Sequence, residues 1–165
     1  MPKKGWVEFT AIQQWYSYLK PRDKTDLWVQ KYVNDELLDY CETEKDLTIF
    51  AYTSTLGGMY NWDTIYDKHH PALHDRFFSE DNERRLAVLK QIAEKYNTSP
   101  FQIVFAWMFK HNIPIVPILG VSKLSQLKEN LKSLEIELSD QDFELMENAT
   151  FNQKEYIDKE EVSLI

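Results

Sequence analysis

Three short runs of β-forming residues are each followed by helix-forming sequence, and that repeated order narrows the fold more than any other feature. Residues 7–13 (VEFTAIQ) read as a first strand, with Val7, Phe9, Ala11 and Gln13 on one face. Residues 47–52 (LTIFAY) read as a second. Residues 113–119 (IPIVPIL) read as a third, dense enough in apolar and β-branched side chains to be buried on both faces. Strand then helix, three times over, predicts a parallel α/β sheet made of right-handed βαβ units.

The helices carry their own signals. Asn34 is placed to cap a helix over 35–43, with Leu37, Leu38 and Cys41 along one side. Residues 82–96 are amphipathic: Leu86, Leu89, Ile92 and Ala93 face inward, while Arg85, Lys90, Glu94 and Lys95 face water. Ser99, Pro100 and Gln102 form the start of a further helix, with a capping box. That helix is apolar almost all round, so it is expected to be covered on more than one side, and His111 at its C-terminal end suits the helix dipole. Ser125 is expected to cap a helix over 126–131, and Ser139 with Asp142 another ending near Ala149. The acidic tail, residues 151–165, reads as a docked arm or a frayed end, apart from the body at 1–150.

With 165 residues, 43% of them apolar, the chain can bury a sizeable core. A net charge of −8 disfavours nucleic acid and anionic membrane as partners. The first ten residues lack the apolar core of a signal peptide, and no run is long enough to span a bilayer. Cys41 is the single cysteine, which fits a reducing cytoplasm and a packing role. His70 and His74 are four residues apart, but Pro71 lies between them and nothing completes a metal set, so no metal is expected. They lie in a long excursion, 59–81, of the kind that makes lids or disordered loops.

Two turns look suited to a ligand. Thr53-Ser54-Thr55-Leu56-Gly57-Gly58 ends the second strand in small and glycine residues. After the third, Gly120, Ser122 and Lys123 lead into a helix N-terminus, where unpaired N–H groups and the helix dipole favour an anion. An ordinary β-to-α connection with a solvated lysine accounts for the same residues, and neither GxxxxGK[ST] nor GxGxxG is present.

Taken together, residues 5–22 (GWVEFTAIQQWYSYLKPR), 47–58 (LTIFAYTSTLGG) and 113–131 (IPIVPILGVSKLSQLKENL) resemble strands six to eight of the aldo-keto reductases. Those enzymes are (β/α)8 barrels that reduce carbonyl compounds with NADPH. The resemblance implies a partial barrel of about three βα units plus a C-terminal helix and tail. It implies NADP as cofactor and assigns residues to it. Gln13 matches the glutamine that binds the nicotinamide carboxamide, and Tyr52 the aromatic that stacks on the nicotinamide ring. Thr53, Ser54 and Leu56 fall in the loop that holds the pyrophosphate, where the family's serine-proline has become Thr53-Ser54. Leu119, Gly120, Ser122 and Lys123 match the segment that grips the 2′-phosphate; Gln126, Glu129 and Asn130 match contacts to the adenosine end.

The family's catalytic aspartate, tyrosine, lysine and histidine lie on earlier strands, so the resemblance assigns no catalytic residue here; Tyr16, Tyr60 and His70 have no spacing that makes them replacements. The expectation is the cofactor-binding portion of an oxidoreductase with little or no turnover alone, a carbonyl substrate being taken only when the rest of a barrel is supplied. The alternative is a non-catalytic remnant with weak or no nucleotide binding. A truncated or split product, a fragment, or a self-associating chain would each produce such a sequence, because three strands leave two open edges.

Overall fold

A computed structural model describes residues 8–22, 31–44, 47–66 and 75–150. Val7, the three histidines of the 59–81 excursion and the tail lie outside the described residues. The strands are β1 (Ala11–Trp15), β2 (Thr48–Tyr52) and β3 (Ile115–Pro117), parallel and in the order β1-β2-β3. Gln13 stands level with Phe50, and Phe50 with Val116; Ile12, Ile49 and Ile115 form the neighbouring row.

Those two rows face opposite sides, and one is covered far more fully than the other. Ile49 and Ile115 are buried, whereas Phe50 is 38% and Val116 43% exposed. The expectation that the third strand is buried on both faces is therefore corrected. Its β-branched density marks a surface able to be covered on both sides, but the second side is closed at Trp15, which is buried 5.9 Å from the Phe77 ring centroid, and left open at Phe50 and Val116. The first strand also differs from expectation. It begins at Ala11 and runs on to Trp15, because ladder pairing with β2 starts where Thr48 N–H donates to the Thr10 carbonyl; Phe9, before that point, is 88% exposed. Trp15 N–H donates to the Lys31 carbonyl and Val33 N–H to the Trp15 carbonyl, so one rung of the outer β1 edge is closed.

The helices are α1 (Asp35–Thr43), α2 (Glu80–Lys95), α3 (Pro100–Lys110), α4 (Leu124–Leu131) and α5 (Asp140–Glu147), with 3-10 turns at Leu56–Asn61 and Lys132–Glu135. Asn34 caps α1, its side chain accepting from Leu37 N–H at 3.1 Å, and Cys41 is buried below it. Burial pushes the Cys41 thiol up, consistent with an inert packing residue. Every residue of α3 from Gln102 to Met108 is buried, because the helix lies between β3, α2 and α4. Its start is held by Gln102, whose Oε1 accepts from Ser99 N–H at 3.1 Å while Nε2 donates to the Glu129 carbonyl at 2.6 Å.

One side chain departs from the amphipathic reading, while Lys95 stays exposed as expected. Arg85 is buried, with its guanidinium 5.4 Å from the Tyr18 ring centroid, so it packs over an aromatic face instead of meeting water. Lys95 reaches across to Asp142 of α5 at 2.8 Å, where Tyr96 and Ser139 also donate to the carboxylate. His111 lies among Trp107, Phe143 and Tyr16, whose hydroxyl is 3.3 Å from its Nε2. Burial lowers the His111 pKa, so the ring is neutral near pH 7 and does not serve the helix dipole as a cation.

Candidate functional site

In a parallel sheet the strand C-termini end on one rim, and here the loops after β2 and β3 form that rim. Tyr52 is the last residue of β2, level with Trp15 of β1, and its ring is 39% exposed. Gln13, one same-face step back on β1, is also exposed. Alternation puts Gln13, Phe50, Tyr52 and Val116 on the more open face, which Trp15 shares at its buried β1 end. An amide and an aromatic ring thus share one open surface beside the rim.

The turn after β2 is rigid and strained. Thr53 (φ 57°) and Leu56 (φ 47°) adopt left-handed backbone that non-glycine residues rarely hold, followed by Gly57 (φ 57°) and Gly58 (φ 99°). Tyr60 locks it: its hydroxyl donates to the Ser54 carbonyl at 3.1 Å and accepts from Tyr18 N–H at 3.0 Å, tying the β1 and β2 exits together. Ser54 and Leu56 are fully buried, and the Ser54 hydroxyl donates to the Ile118 carbonyl at 3.4 Å. Their side chains are thus directed into the protein, and only their backbone is left to meet a ligand. Thr53 is half-buried.

After β3 the chain leaves through Gly120, Ser122 and Lys123, all exposed. A Cβ at Gly120 would meet nothing within 4 Å and its φ lies outside the left-handed region, so glycine is not required there by the backbone. α4 starts at Leu124 with Lys123 as N-cap, earlier than the expected Ser125 cap. The reason is Gln126. Its Oε1 accepts from Ser122 N–H at 3.0 Å, from Lys123 N–H at 3.0 Å and from the Ser122 hydroxyl at 3.3 Å. Glutamine three residues after the cap is the same signal that Ser99 and Gln102 display, but lysine, which cannot accept, hid it.

The other expected contacts are dispersed. Leu119 and Asn130 line an apolar cavity of about 190 Å³ beside β3, with Phe105, Phe109, Leu131 and Leu134. Glu129 lines a polar basin of about 850 Å³ with Ser125, Lys128 and Lys132. Gln13 and Tyr52 therefore share the open face, Ser122, Lys123 and Gln126 cluster at the α4 start, and Leu119, Glu129 and Asn130 border separate hollows. Among the described residues no cluster of His, Cys, Asp and Glu could hold a metal, and no helix is long and apolar enough to cross a membrane.

A model of the aldo/keto reductase family matches residues 1–150. The chain is 30% identical over 129 residues to aldo-keto reductase family 1 member C21 of Mus musculus, covering 74% of this chain and 34% of that protein. It is 28% identical over 120 residues to aldo-keto reductase str7 of Strobilurus tenacellus, covering 67% and 36%. A shorter match, 41% over 59 residues, is to the NADP-dependent D-sorbitol-6-phosphate dehydrogenase of Malus domestica, covering 36% of this chain and 18% of that one. A solved aldo-keto reductase from a Medee basin deep-sea metagenome library is similar in fold, with a TM-score of 0.58 over 90% of this chain and 42% of its own, at 14% identity. The chain spans well under half the length of each of these relatives.

Proposed function

Since the chain belongs to the aldo/keto reductase family, its three parallel strands being part of a (β/α)8 barrel, we propose that it is the NADP-binding portion of a carbonyl oxidoreductase. The observation that carries this reading is Gln13 and Tyr52 on the same face of neighbouring strands, two residues apart in register near the C-terminal rim, with Lys123 exposed at the start of α4. A half-exposed ring and a neighbouring amide are the groups that an aromatic carboxamide needs: a flat face to stack on and a donor–acceptor pair beside it. An exposed lysine at a helix N-terminus suits a phosphate.

The residues present fit the cofactor in part. Tyr52 and Gln13 would hold the nicotinamide end, Lys123 and Ser122 the 2′-phosphate, and the backbone of the 53–56 turn the pyrophosphate. NADPH, when bound, supplies a hydride to the carbonyl carbon. The carbonyl substrate and the protonating group belong to the remainder of a complete barrel. The chain's own task is to fix the nucleotide against the sheet.

The test is a titration of the purified chain with NADPH, followed by tryptophan fluorescence beside the Lys123→Ala variant. Saturable quenching that is weakened at least tenfold by Lys123→Ala is expected. No binding at millimolar NADPH would refute the reading and favour a non-catalytic remnant.

A further inference from the structure

We infer that two copies of this chain pair through the outer edge of β3, antiparallel about a twofold axis at Ile115, with Phe109, Leu131 and Leu134 packed across the seam. The sheet has two edges, and they differ. On β1, Tyr32 already forms a parallel bridge with Trp15, so part of that edge is taken. On β3, no further strand follows among the described residues. Ile49 N–H donates to the Pro114 carbonyl and Ile118 N–H to the Ala51 carbonyl, so residues 114, 116 and 118 turn their backbone towards β2. Ile115 and Pro117 therefore turn theirs outward, and unpaired groups along an edge are a template for another strand.

The chemistry of this edge selects a second copy. Pro117 has no N–H, so the outer edge of β3 presents one donor, Ile115 N–H, beside the Ile115 and Pro117 carbonyls. A parallel strand bonded along both residues lacks its second donor. Two antiparallel β3 strands centred on Ile115 exchange both Ile115 N–H···O bonds without calling on Pro117. Head-to-tail addition of β3 to β1 is opposed by the Tyr32 bridge, which leaves the self-complementary, closed arrangement.

The side chains beside the edge match. Leu131 is 50% and Leu134 66% exposed, and with Phe109 they line the apolar cavity next to β3. An apolar strip at an unpaired edge gains by burial against a copy of itself. Charge permits the contact there. Residues 109–135 hold four lysines against two glutamates, while the whole chain carries −8, so two copies meet away from the acidic surface.

Sedimentation equilibrium of the full chain without nucleotide, over a range of concentrations, tests this. The unmodified chain is compared with Leu134→Lys, with Phe50→Lys on the more open sheet face and with Tyr40→Lys on α1, circular dichroism confirming that each is folded. The expected mass is twice 19.7 kDa for the unmodified chain, Phe50→Lys and Tyr40→Lys, with dimerisation about tenfold weaker or worse in Leu134→Lys. Hydrogen exchange of the Ile115 amide is expected to slow as the dimer fills. A mass of 19.7 kDa throughout overturns the inference and leaves the edge to a strand of another chain. Dissociation by Phe50→Lys but not by Leu134→Lys places the contact on the other face and overturns it too. Masses that climb past the dimer, or an Ile115 amide indifferent to concentration, do the same. None of these outcomes touches the NADP reading, which stands on the nucleotide titration.

Discussion

Gln13 and Tyr52 lie on adjacent parallel strands and face the same way, Gln13 level with Phe50 and Tyr52 level with Trp15. Their difference in setting is informative. Trp15 is buried, 5.9 Å from the Phe77 ring centroid, whereas Tyr52 across from it stays 39% exposed. A large aromatic side chain left this open at a strand end contributes little to the core. Tyr52→Ala is therefore expected to cost at most about 1 kcal/mol of stability, yet to weaken NADPH binding about tenfold. Urea unfolding alongside fluorescence titration checks both halves. A large stability loss with unchanged binding would make Tyr52 a packing residue.

Tyr60 illustrates the opposite case, an aromatic that reads as near the site but works behind it. Its buried hydroxyl is the link between Tyr18 N–H and the Ser54 carbonyl, and burial pushes its pKa well above the ordinary tyrosine value. Tyr60→Phe leaves a buried donor and a buried acceptor without their partner, at a cost of about 1–3 kcal/mol. The same change releases the strained turn at Thr53 and Leu56, so hydrogen exchange of the 53–58 amides is expected to quicken beyond that of the β2 amides. Equal acceleration throughout would show global loosening only.

The sheet, its parallel order and most caps were legible in the sequence because each is written locally. Strand runs, Asn34, Ser99 with Gln102, and Ser139 with Asp142 depend on neighbours within a few residues. What escaped depends on distant partners. Arg85 sits at a position that an amphipathic helix gives to water, and only the Tyr18 ring from another element reverses that. One-sided burial of β3 cannot be read from β3 itself, since Ile115 and Val116 are chemically alike but have opposite surroundings. Among the expected site residues, side-chain commitments were not readable: Ser54 and Leu56 are turned inward, and Gln126 caps α4.

Asp142 gives the chain an acid limb. Its side chain is 5% exposed, and burial by itself would raise the carboxyl pKa. Hydrogen bonds from Lys95, Ser139 and Tyr96 outweigh that and hold it below the ordinary 3.8. A carboxylate depressed in the folded state stabilises fully at pH well above 3.8, and that stability is lost as pH falls through the lower folded value. Asp142→Asn is expected to cost about 1–3 kcal/mol at neutral pH and to flatten the stability curve below pH 4. Guanidinium midpoints across the acid range measure it. An unchanged acid limb would assign the loss to other carboxylates.

His111 acts higher in the pH range and with its own sign to work out. Burial among Trp107, Phe143 and Tyr16 lowers its pKa from 6.5, against the smaller opposing pull of Glu147 and Glu42. Above 6.5 the ring is neutral folded or unfolded, and its titration contributes no slope. As pH falls below 6.5 the unfolded chain takes up the proton first, so stability drops until the folded ring can also charge. His111→Gln retains a hydrogen-bonding partner for the Tyr16 hydroxyl but cannot titrate. It is expected to remove the slope that opens below pH 6.5 while lowering stability at pH 8 by about 1 kcal/mol from lost ring packing. Because Asp142 acts below 4, the two limbs separate on one pH series. A His111→Gln curve parallel to that of the unmodified chain from pH 5 to 8 would mean that the imidazole is not desolvated by this aromatic cage.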